Sequence, residues 1–173
     1  MWQFSGKLFW VPFYIFLLFL VFKKLGIQKS ILCLILLVLM ITATDQLGAY
    51  VIRPYVERLR PSSPLNPLSQ LLHFVNESRG GDFGFPSLHA ANSFALLIFL
   101  SNILKSAWIK CTLLIWALLL SISRIYLGFH YPTDILAGAA LGICMGYNFY
   151  LLYYFLLNKK DYLYIFTKRK DSF

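Results

Sequence analysis

Apolar runs separated by short polar or basic segments set the pattern of this chain. A helix that crosses the hydrocarbon core of a membrane needs roughly 20 apolar residues, or about 17–25 when it is tilted. Runs of about this length predict an all-α fold, a polytopic membrane helix bundle of about five transmembrane helices plus a short interfacial helix. The predicted spans are about residues 7–22, 30–52, 86–104, 111–126 and 133–157, with the interfacial helix at 68–75.

A polar connection rich in proline and glycine, residues 53–85, separates the second and third spans. The first apolar run ends in the basic pair Lys23-Lys24. Because a signal peptide carries its positive charge before the apolar core, we predict that this run is retained as a span. The chain shows no internal repeat and no low-complexity segment, so we predict a single membrane-embedded domain over residues 1–173.

Composition and charge support a membrane protein. Hydrophobic residues make up 59% of the 173 residues and charged residues only 13%, whereas globular domains are about 25% charged. A net charge of +9 would suit nucleic acid, but the Lys and Arg residues flank apolar spans, where topology and anionic headgroups explain them better. We expect membrane lipids as partners and no nucleic acid. The three cysteines lack the spacing of a disulfide framework or a zinc site.

The distribution of basic residues predicts the orientation of the bundle. Five spans place the two termini on opposite sides, and the C-terminal side holds more of the basic residues, namely Lys23, Lys24, Lys29, Lys105, Lys110 and the basic tail. Because positive residues favour the cytoplasmic side, we expect a cytoplasmic C-terminus in the plasma membrane, the inner membrane of a bacterium. Three unusual polar segments, beginning at Arg53, Pro86 and Ser123, then lie together on the extracytoplasmic face.

The first of these segments contains Arg53 and Arg60, whose spacing of seven puts them on one face of a helix. Pro54 is compatible with such a helix if it opens a new turn after the second span. Two guanidiniums on one face offer forked donors to a phosphate group. Arginines that snorkel to the membrane interface would have the same pattern, so the pair alone leaves both interpretations open.

The third span opens with Pro86-Ser87-Leu88-His89. Proline at the first helical position with serine beside it is a signal of a helix start. The free backbone N–H groups of that start favour an anion, and Ser87 adds a hydroxyl donor. His89 would lie in the first turn, where it could donate a proton to a leaving oxygen. A purely structural histidine is the alternative.

The last segment joins the fourth and fifth spans. Arg124 closes one span, Gly128 allows the chain to turn, and Pro132 begins the next span. Asp134 follows His130 by four residues and could accept a hydrogen bond from one imidazole nitrogen, which leaves the other nitrogen free to attack phosphorus. Each charge beside the hydrocarbon costs at least about 2.5–3.5 kcal/mol on insertion scales. We therefore predict that the three segments converge on one phosphate-binding site.

These segments resemble the three signature motifs of the type 2 phosphatidic acid phosphatase superfamily, which includes lipid phosphatases and vanadium haloperoxidases. The third motif, Ser-Arg, five residues, His, three residues, Asp, is matched in full by Ser123, Arg124, His130 and Asp134. The second is Pro-Ser-Gly-His, and Leu88 stands here in place of the glycine. The first is Lys, six residues, Arg-Pro, and Arg53 stands here in place of the lysine, before Arg60-Pro61. The resemblance covers residues 53–134.

The resemblance implies a chemical role for each matched residue. His130 would be the nucleophile that becomes a phosphohistidine, Asp134 would orient it, and His89 would protonate the leaving group. Water would then release phosphate. The phosphoryl oxygens would be held by Arg53, Arg60, Ser87, Leu88 and Arg124. The family works without a metal, so we expect no cofactor.

The resemblance also implies an integral membrane lipid phosphatase that cleaves a phosphate monoester or pyrophosphate at the extracytoplasmic face. Lipid A 1-phosphate, undecaprenyl pyrophosphate, phosphatidylglycerol phosphate and phosphatidate all suit such an enzyme. The sequences Arg58-Leu59-Arg60-Pro61 and Ser87-Leu88-His89-Ala90-Ala91-Asn92 further resemble compact bacterial members. Lipid A 1-phosphatase and undecaprenyl pyrophosphatase are therefore the first two choices. The oligomeric state is not predicted.

Several other functions compete with this interpretation. A transporter or channel would carry its charges through the middle of the spans, whereas here they gather at one face. A catalytically inactive lipid-binding relative would lack some of the ionisable groups. A metal-dependent hydrolase would use His89, His130 and Asp134 as ligands. A soluble haloperoxidase is disfavoured because nearly all of the chain is apolar span.

Three remaining features receive structural interpretations. Gly138, Gly142 and Gly146 recur every four residues in the fifth span and predict a face for close packing against another helix. Asp45, in the second span, is expected to contact an arginine or another span. His73 lies in the connection and is expected to touch at most a lipid headgroup.

Overall fold

The computed structural model describes residues 8–71 and 80–170, and it is all-helical as predicted. The helices are α1 (Val11–Leu25), α2 (Ile27–Gln46), α3 (Arg53–Val56), α4 (Leu88–Leu104), α5 (Ala107–Tyr126) and α6 (Pro132–Lys170). A 3-10 turn, Leu8–Trp10, precedes α1. The only extended pairing within the described ranges is an isolated antiparallel bridge between Leu59 and Phe83.

Three of the described helical stretches are long and apolar enough to cross a membrane: Ile27–Val56, Ala107–Tyr126 and Pro132–Asn158. Leu88–Leu104 is a shorter apolar helix, and α1 has 15 residues. Large apolar side chains such as Val38, Leu136 and Phe155 are more than half exposed, as expected for side chains that face lipid. The all-helical class is thus confirmed, whereas the number of five spans stays a prediction.

The second span does not break before Pro54 but continues through a π-helical segment, Leu47–Ile52, into α3. The last π-helical bond runs from the Arg53 N–H to the Gly48 carbonyl. Pro54 therefore falls in the first turn of a new α-helical segment, where its missing N–H is not needed. Glu57 then adopts a left-handed backbone conformation, with φ of 46°, and ends the helix.

The core is built around α4, which packs most closely on α6. A Cβ atom added to Gly138, Gly142 or Gly146 would overlap the backbone carbonyls of Ser87, Ala91 and Ala95, respectively. The predicted close-packing face of the fifth span is therefore confirmed. On the α4 side, Ala90, Ala91 and Ala95 are fully buried, because small side chains let the two helix backbones approach.

The helix ends at the site differ in part from the prediction. Pro86 is not the first helical residue; Ser87 is the N-cap, its hydroxyl oxygen accepts the Ala90 N–H, and α4 begins at Leu88. Gly128 adopts φ of 69° and turns the chain after α5, and α6 begins at Pro132, both as predicted. In place of the interfacial helix at 68–75, a 3-10 helix covers Pro67–Leu71, and residues 72–75, with His73, lie outside the described residues.

Candidate active site

Two backbone segments pair beside the start of α4, and the first of them contains Arg58 and Arg60. The Arg60 N–H donates to the Asp82 carbonyl at 2.8 Å, and the Gly84 N–H donates to the Arg58 carbonyl at 2.9 Å. Asn66 fixes the same segment, since its Nδ2 donates to the Arg60 carbonyl and to the Tyr131 hydroxyl, both at 2.9 Å. The segment after α3 is thereby held against the segment that precedes α4 and against the start of α6.

The predicted helix face shared by Arg53 and Arg60 is wrong. Arg53 lies on α3, but the left-handed Glu57 ends that helix before Arg60, which lies in the extended segment beyond it. The tertiary structure still brings the two side chains to one cavity. Arg53 Nη2 donates to the Pro86 carbonyl at 3.4 Å, and Arg60 Nε donates to the Phe83 carbonyl at 3.0 Å. Each guanidinium is therefore held by a backbone oxygen.

The first turn of α4 meets the first turn of α6. The Ser87 N–H donates to the Asp134 carbonyl at 3.0 Å, which joins the second and third polar segments directly. The Ser87 hydroxyl is fully buried and caps α4 instead of facing the cavity. Leu88 and His89 both line the cavity. Among the described residues other than glycine only Glu57 and Lys105 have positive φ, so Leu88 occupies its position without backbone strain.

His130 lines the cavity, and the fully buried Asp134 lies behind it. His130 Nδ1 is 3.7 Å from Asp134 Oδ2, which is longer than a hydrogen bond, so the predicted bond is not formed in this structure. Asp134 Oδ2 instead accepts the Tyr131 N–H at 2.9 Å. His130 is only 3% exposed and Asp134 is fully buried. Since Nδ1 faces Asp134, the nitrogen on the cavity side is Nε2.

Arg58 was not assigned a role from the sequence, yet it is the cation of Asp134. Its Nη1 lies 3.0 Å from Asp134 Oδ1 and donates to Thr133 Oγ1 at 2.6 Å. Its guanidinium also lies over the Tyr131 ring, 4.5 Å from the centroid. The only signal in the sequence is indirect: a carboxylate buried next to the hydrocarbon requires a cation, and Arg58 is one of few available on this face.

Gly84 is a second residue that the sequence did not single out. A Cβ atom added there would lie 2.8 Å from Arg60 Cγ and 3.5 Å from both Asp134 Oδ2 and His130 Nδ1. The backbone of residue 84 therefore packs directly against the imidazole and carboxylate pair. Only glycine leaves Arg60 its observed position, because a Cβ contact under 3.0 Å forces a neighbour to move.

Arg124, at the end of α5, contributes the third guanidinium of the cavity. It lies over the Phe129 ring at 4.5 Å, an arrangement that orients a planar cation. Its neighbour Ser123 is fully buried, and the Ser123 hydroxyl donates to the Leu120 carbonyl at 2.6 Å. Ser123 is thus a packing residue beside the site.

One cavity of about 970 Å³ connects these groups with the apolar interior. Its polar end is lined by Arg53, Arg60, His89, Arg124 and His130. Its remaining walls are mostly apolar and come from α1, α2, α4 and α5, with Leu17, Leu37, Leu96 and Trp116 among them. A ligand that fits this shape is an anion attached to a long apolar chain.

The electrostatics of the polar end favour an anion and a neutral imidazole. Burial lowers the pKa of the His130 imidazole from its usual value, and the charges of Arg60 and Arg124 lower it further, while Asp134 opposes the shift. Burial also lowers the pKa of the Arg60 guanidinium, and the charge of Arg53 adds to this effect. Arginine nevertheless stays protonated at neutral pH, so the cavity combines three cations with an unprotonated nucleophilic nitrogen.

The chemistry available to this arrangement is phosphoryl transfer. Three guanidiniums can neutralise the equatorial oxygens of a phosphoryl group, His130 can attack phosphorus, and His89 can exchange a proton with the leaving oxygen. Within residues 8–71 and 80–158 no three His, Cys, Asp or Glu side chains are grouped so that they could hold a metal ion.

Comparison with known proteins gives one family. A sequence model of the PAP2 superfamily matches residues 31–158. The chain is 44% identical over 149 residues to a lipid A 4'-phosphatase of Bacteroides thetaiotaomicron and 32% identical over 149 residues to a lipid A 4'-phosphatase of Porphyromonas gingivalis. These matches cover 86% of this chain but only 66% and 63% of the two relatives.

The fold is similar to a solved structure as well. A crystal structure of a transmembrane PAP2-type phosphatidylglycerolphosphate phosphatase from Bacillus subtilis superposes with a TM-score of 0.55 at 25% sequence identity. The superposition covers 90% of this chain and 72% of that one.

Proposed function

The chain belongs to the PAP2 superfamily, and from this premise we propose that it is an integral membrane lipid phosphatase. It hydrolyses a phosphate monoester or pyrophosphate from a lipid through a phosphohistidine intermediate. The observation that carries the proposal is the cavity itself, which has Arg53, Arg60, Arg124, His89 and His130 at one end and apolar walls beyond. A phosphate on an apolar chain matches both ends of this cavity.

The reaction proceeds in two displacements at phosphorus. In the first, the Nε2 lone pair of His130 forms the N–P bond while the bond from phosphorus to the lipid oxygen breaks. The leaving oxygen takes the electron pair and receives a proton from His89. The developing charge on the equatorial oxygens is stabilised by Arg53, Arg60 and Arg124.

In the second displacement, water attacks the phosphohistidine. Neutral His89 accepts a proton from the water, the new O–P bond forms, and the N–P bond breaks with its electron pair returned to His130. Inorganic phosphate leaves, and both histidines return to their starting states. Asp134 acts on His130 at a separation of 3.7 Å, where it stabilises the positive charge on the imidazole. The first N–H groups of α4, at Leu88 and His89, add donors for the phosphoryl oxygens, and the buried Ser87 supports them as the N-cap.

A phosphorylated glycolipid of the lipid A type is the substrate we place first. The two lipid A phosphatases cited above are named for the 4'-phosphate, not for the 1-phosphate expected from the sequence. An undecaprenyl-diphosphatase of Sulfolobus acidocaldarius, 30% identical over 145 residues, supports undecaprenyl pyrophosphate as the second choice. Phosphatidylglycerol phosphate and phosphatidate remain candidates for the same chemistry.

We place the enzyme in the bacterial plasma membrane as a multi-pass protein. The phosphate-facing end of the cavity would open to the extracytoplasmic side, and the C-terminus would be cytoplasmic. The support is the excess of Lys residues at the opposite end, where α1 meets α2 and α4 meets α5. A cysteine-labelling experiment in intact cells tests this orientation. In a variant whose three native cysteines are replaced by alanine, a cysteine introduced in place of Leu65, which is exposed on the site side, should react with a membrane-impermeant reagent.

The decisive experiment measures phosphate release by the detergent-purified protein from four lipids. These are lipid A bearing 1- and 4'-phosphates, undecaprenyl pyrophosphate, phosphatidylglycerol phosphate and phosphatidate. Each is tested with chelator, with vanadate and with His130→Ala. We expect release that survives chelator, is inhibited by vanadate and falls at least about a thousandfold in the variant. Loss with chelator would favour a metal-dependent hydrolase instead.

A second candidate function is that of a catalytically inactive lipid-phosphate binding or transport protein. The same cavity would bind the lipid without cleaving it. Intact lipids after incubation with a folded protein, together with vanadate-sensitive lipid binding, would favour this candidate over the phosphatase.

A further inference from the structure

A pair of polar side chains lies in the cavity below the phosphate-facing end. Asn92 Nδ2, on α4, donates to Asp45 Oδ1, on α2, at 2.8 Å. Both residues line the cavity. The contact with another span expected for Asp45 is therefore present, and its partner is an asparagine. Neither of the ion pairs in the described part of the chain includes Asp45.

The group that this pair presents to the cavity is an acceptor, the carboxylate of Asp45. The Asn92 amide nitrogen donates to that carboxylate, so the Asn92 carbonyl Oδ1 points elsewhere. That Oδ1 atom is buried and has no hydrogen-bond partner within the described residues. The neighbouring Ser93 hydroxyl gives its proton to the Ala90 carbonyl at 3.1 Å. The Asp45 carboxylate is thus the acceptor of the pair that a donor in the cavity can reach, and the Asn92 amide holds it in place.

Such a pair is expensive in an apolar setting unless a ligand completes it. A carboxylate in a membrane span and an unsatisfied buried carbonyl both carry a desolvation cost. The charge of Arg53 acts on Asp45, but no ion pair joins these two side chains within the described residues. The leucines that line the same cavity, Leu37, Leu96 and Leu100, offer no polar partner. A donor on the ligand would complete the hydrogen bonding of the Asp45 carboxylate.

The Asp45–Asn92 pair lies about one to two helical turns below the phosphate-facing end of the cavity. Asn92 follows His89 by three residues on α4, about one helical turn or roughly 5 Å. Asp45 precedes Arg53 by eight residues on the helix that α2 and α3 form, roughly 12 Å along the axis. A lipid with its phosphate among the arginines would therefore bring the part next to its phosphate to this depth.

We propose that Asp45, held by Asn92, forms a specificity site for a hydrogen-bond donor, a hydroxyl or an amide N–H, on the lipid just below its phosphate. This inference rests on the proposed phosphatase function and narrows its substrate class. Glycolipids and N-acylated lipids carry such donors. Polyprenyl chains and diacylglycerol esters carry none at this depth, so they would leave the Asp45 carboxylate without a donor from the ligand.

The test compares two matched lipids with the purified full-length protein. Ceramide 1-phosphate has a hydroxyl and an amide N–H next to the phosphate, whereas phosphatidate with chains of equal length has only esters. The readout is the ratio of kcat/KM for the first lipid to that for the second. Asp45→Asn keeps the volume but replaces the carboxylate with an amide, which has one acceptor oxygen fewer.

We expect Asp45→Asn to lower this ratio about tenfold or more, because the loss of a buried hydrogen bond to a carboxylate accounts for a difference of that size. Asn92→Ala, which removes the hydrogen bond that holds Asp45 in place, lowers the same ratio and serves if the first variant does not fold. Asn102→Ala is the matched control. Asn102 is on the same helix, donates to the Ile98 carbonyl at 2.7 Å and does not line the cavity.

The possible outcomes separate this inference from the phosphatase proposal. Equal losses on both lipids, or an unchanged ratio in both variants, would show a structural role and overturn the inference alone. A wild-type enzyme that cleaves phosphatidate and undecaprenyl pyrophosphate but neither ceramide 1-phosphate nor lipid A would also overturn it alone. If the wild-type protein leaves every lipid intact, the phosphatase proposal fails and the specificity site fails with it.

Discussion

Arg58 Nη1 lies 3.0 Å from Asp134 Oδ1, and this ion pair connects the segment after α3 to the first turn of α6. The carboxylate that faces His130 is thereby shared among an arginine, a backbone N–H and the imidazole. These three neighbours together fix the position of the Asp134 carboxylate. Arg58 is itself partly exposed, so we propose that it acts through Asp134 on the histidine, as a positioning residue.

Replacement of Arg58 by glutamine should lower kcat about tenfold with a smaller change in KM. The buried Asp134 would lose its cation and turn towards His130, which changes the orientation of the imidazole but leaves the phosphate-binding arginines in place. Arg58→Lys should recover part of the rate. The measurement is steady-state phosphate release, with Lys110→Gln on exposed α5 surface as the control for loss of one positive charge. Wild-type kcat in Arg58→Gln would contradict the assignment.

Gly84→Ala should reduce kcat and weaken phosphate binding together. The new methyl group would lie 2.8 Å from Arg60 Cγ and 3.5 Å from His130 Nδ1, so it displaces a phosphate-facing guanidinium and presses on the nucleophile. We expect a fall of about tenfold or more, since displacements near 1 Å at a reacting group have large effects on rate.

The matched control for this substitution is Gly81→Ala, three residues earlier in the same segment. A Cβ atom there meets nothing within 4 Å, so its kinetics and thermal stability should match the wild type. If Gly84→Ala and Gly81→Ala behave alike, the close packing at residue 84 has no catalytic consequence.

The apolar pattern was enough to predict an all-helical chain, the approximate helix ends and the meeting of three polar segments on one face. It could not predict that Glu57 would end the helix after Arg53, because a left-handed glutamate has no signal in its residue type. The sequence did not indicate the role of Arg58 for a different reason. Its partner Asp134 is 76 residues away in sequence, and only the tertiary structure shows which of several arginines is nearest.

Gly84 and Asn92 illustrate the same limit. A glycine in a loop usually indicates a flexible backbone. Gly84, however, is required because a side chain there would meet Arg60 and His130. Asn92 lay within a recognised pattern, but its contact with Asp45 depends on the packing of α4 against α2. Local sequence thus predicted which segments matter, while the individual contacts inside the site depended on how distant helices pack.

The pH dependence of kcat/KM should have an acid limb below the usual histidine pKa of 6.5. Burial together with the charges of Arg60 and Arg124 lowers the pKa of His130, so the proposed nucleophile stays unprotonated at pH values where an exposed histidine is charged. Between the lowered pKa and 6.5 the unfolded chain binds a proton that folded His130 does not, so this group reduces stability progressively as pH falls through that window.

Removal of one cation tests the cause of the shift. Arg124→Gln should move the acid limb of its residual activity to higher pH, whereas Lys110→Gln should leave the limb where it is. The measurement is kcat/KM from pH 4.5 to 8, a range chosen to span roughly two units on either side of the usual histidine pKa. An acid limb at or above 6.5 in the wild type would contradict a lowered pKa for the essential histidine.

Gly142→Val should destabilise the bundle because the α4–α6 contact leaves no room for a side chain. A Cβ atom at residue 142 would overlap the Ala91 carbonyl and lie 2.9 Å from the Ala95 nitrogen. Backbone atoms cannot swing aside as a flexible side chain can, so the helices must separate. Overpacking of this kind costs about 1–3 kcal/mol. Since Ala91 follows His89 by two residues on α4, the same separation should lower the rate of phosphate release.

The comparison for Gly142→Val is Ala140→Val, which adds bulk at an exposed position of α6, with both variants measured by thermal unfolding in one detergent. Equal unfolding temperatures for the two variants would show that the contact tolerates a side chain and that the glycine spacing is not needed for helix packing.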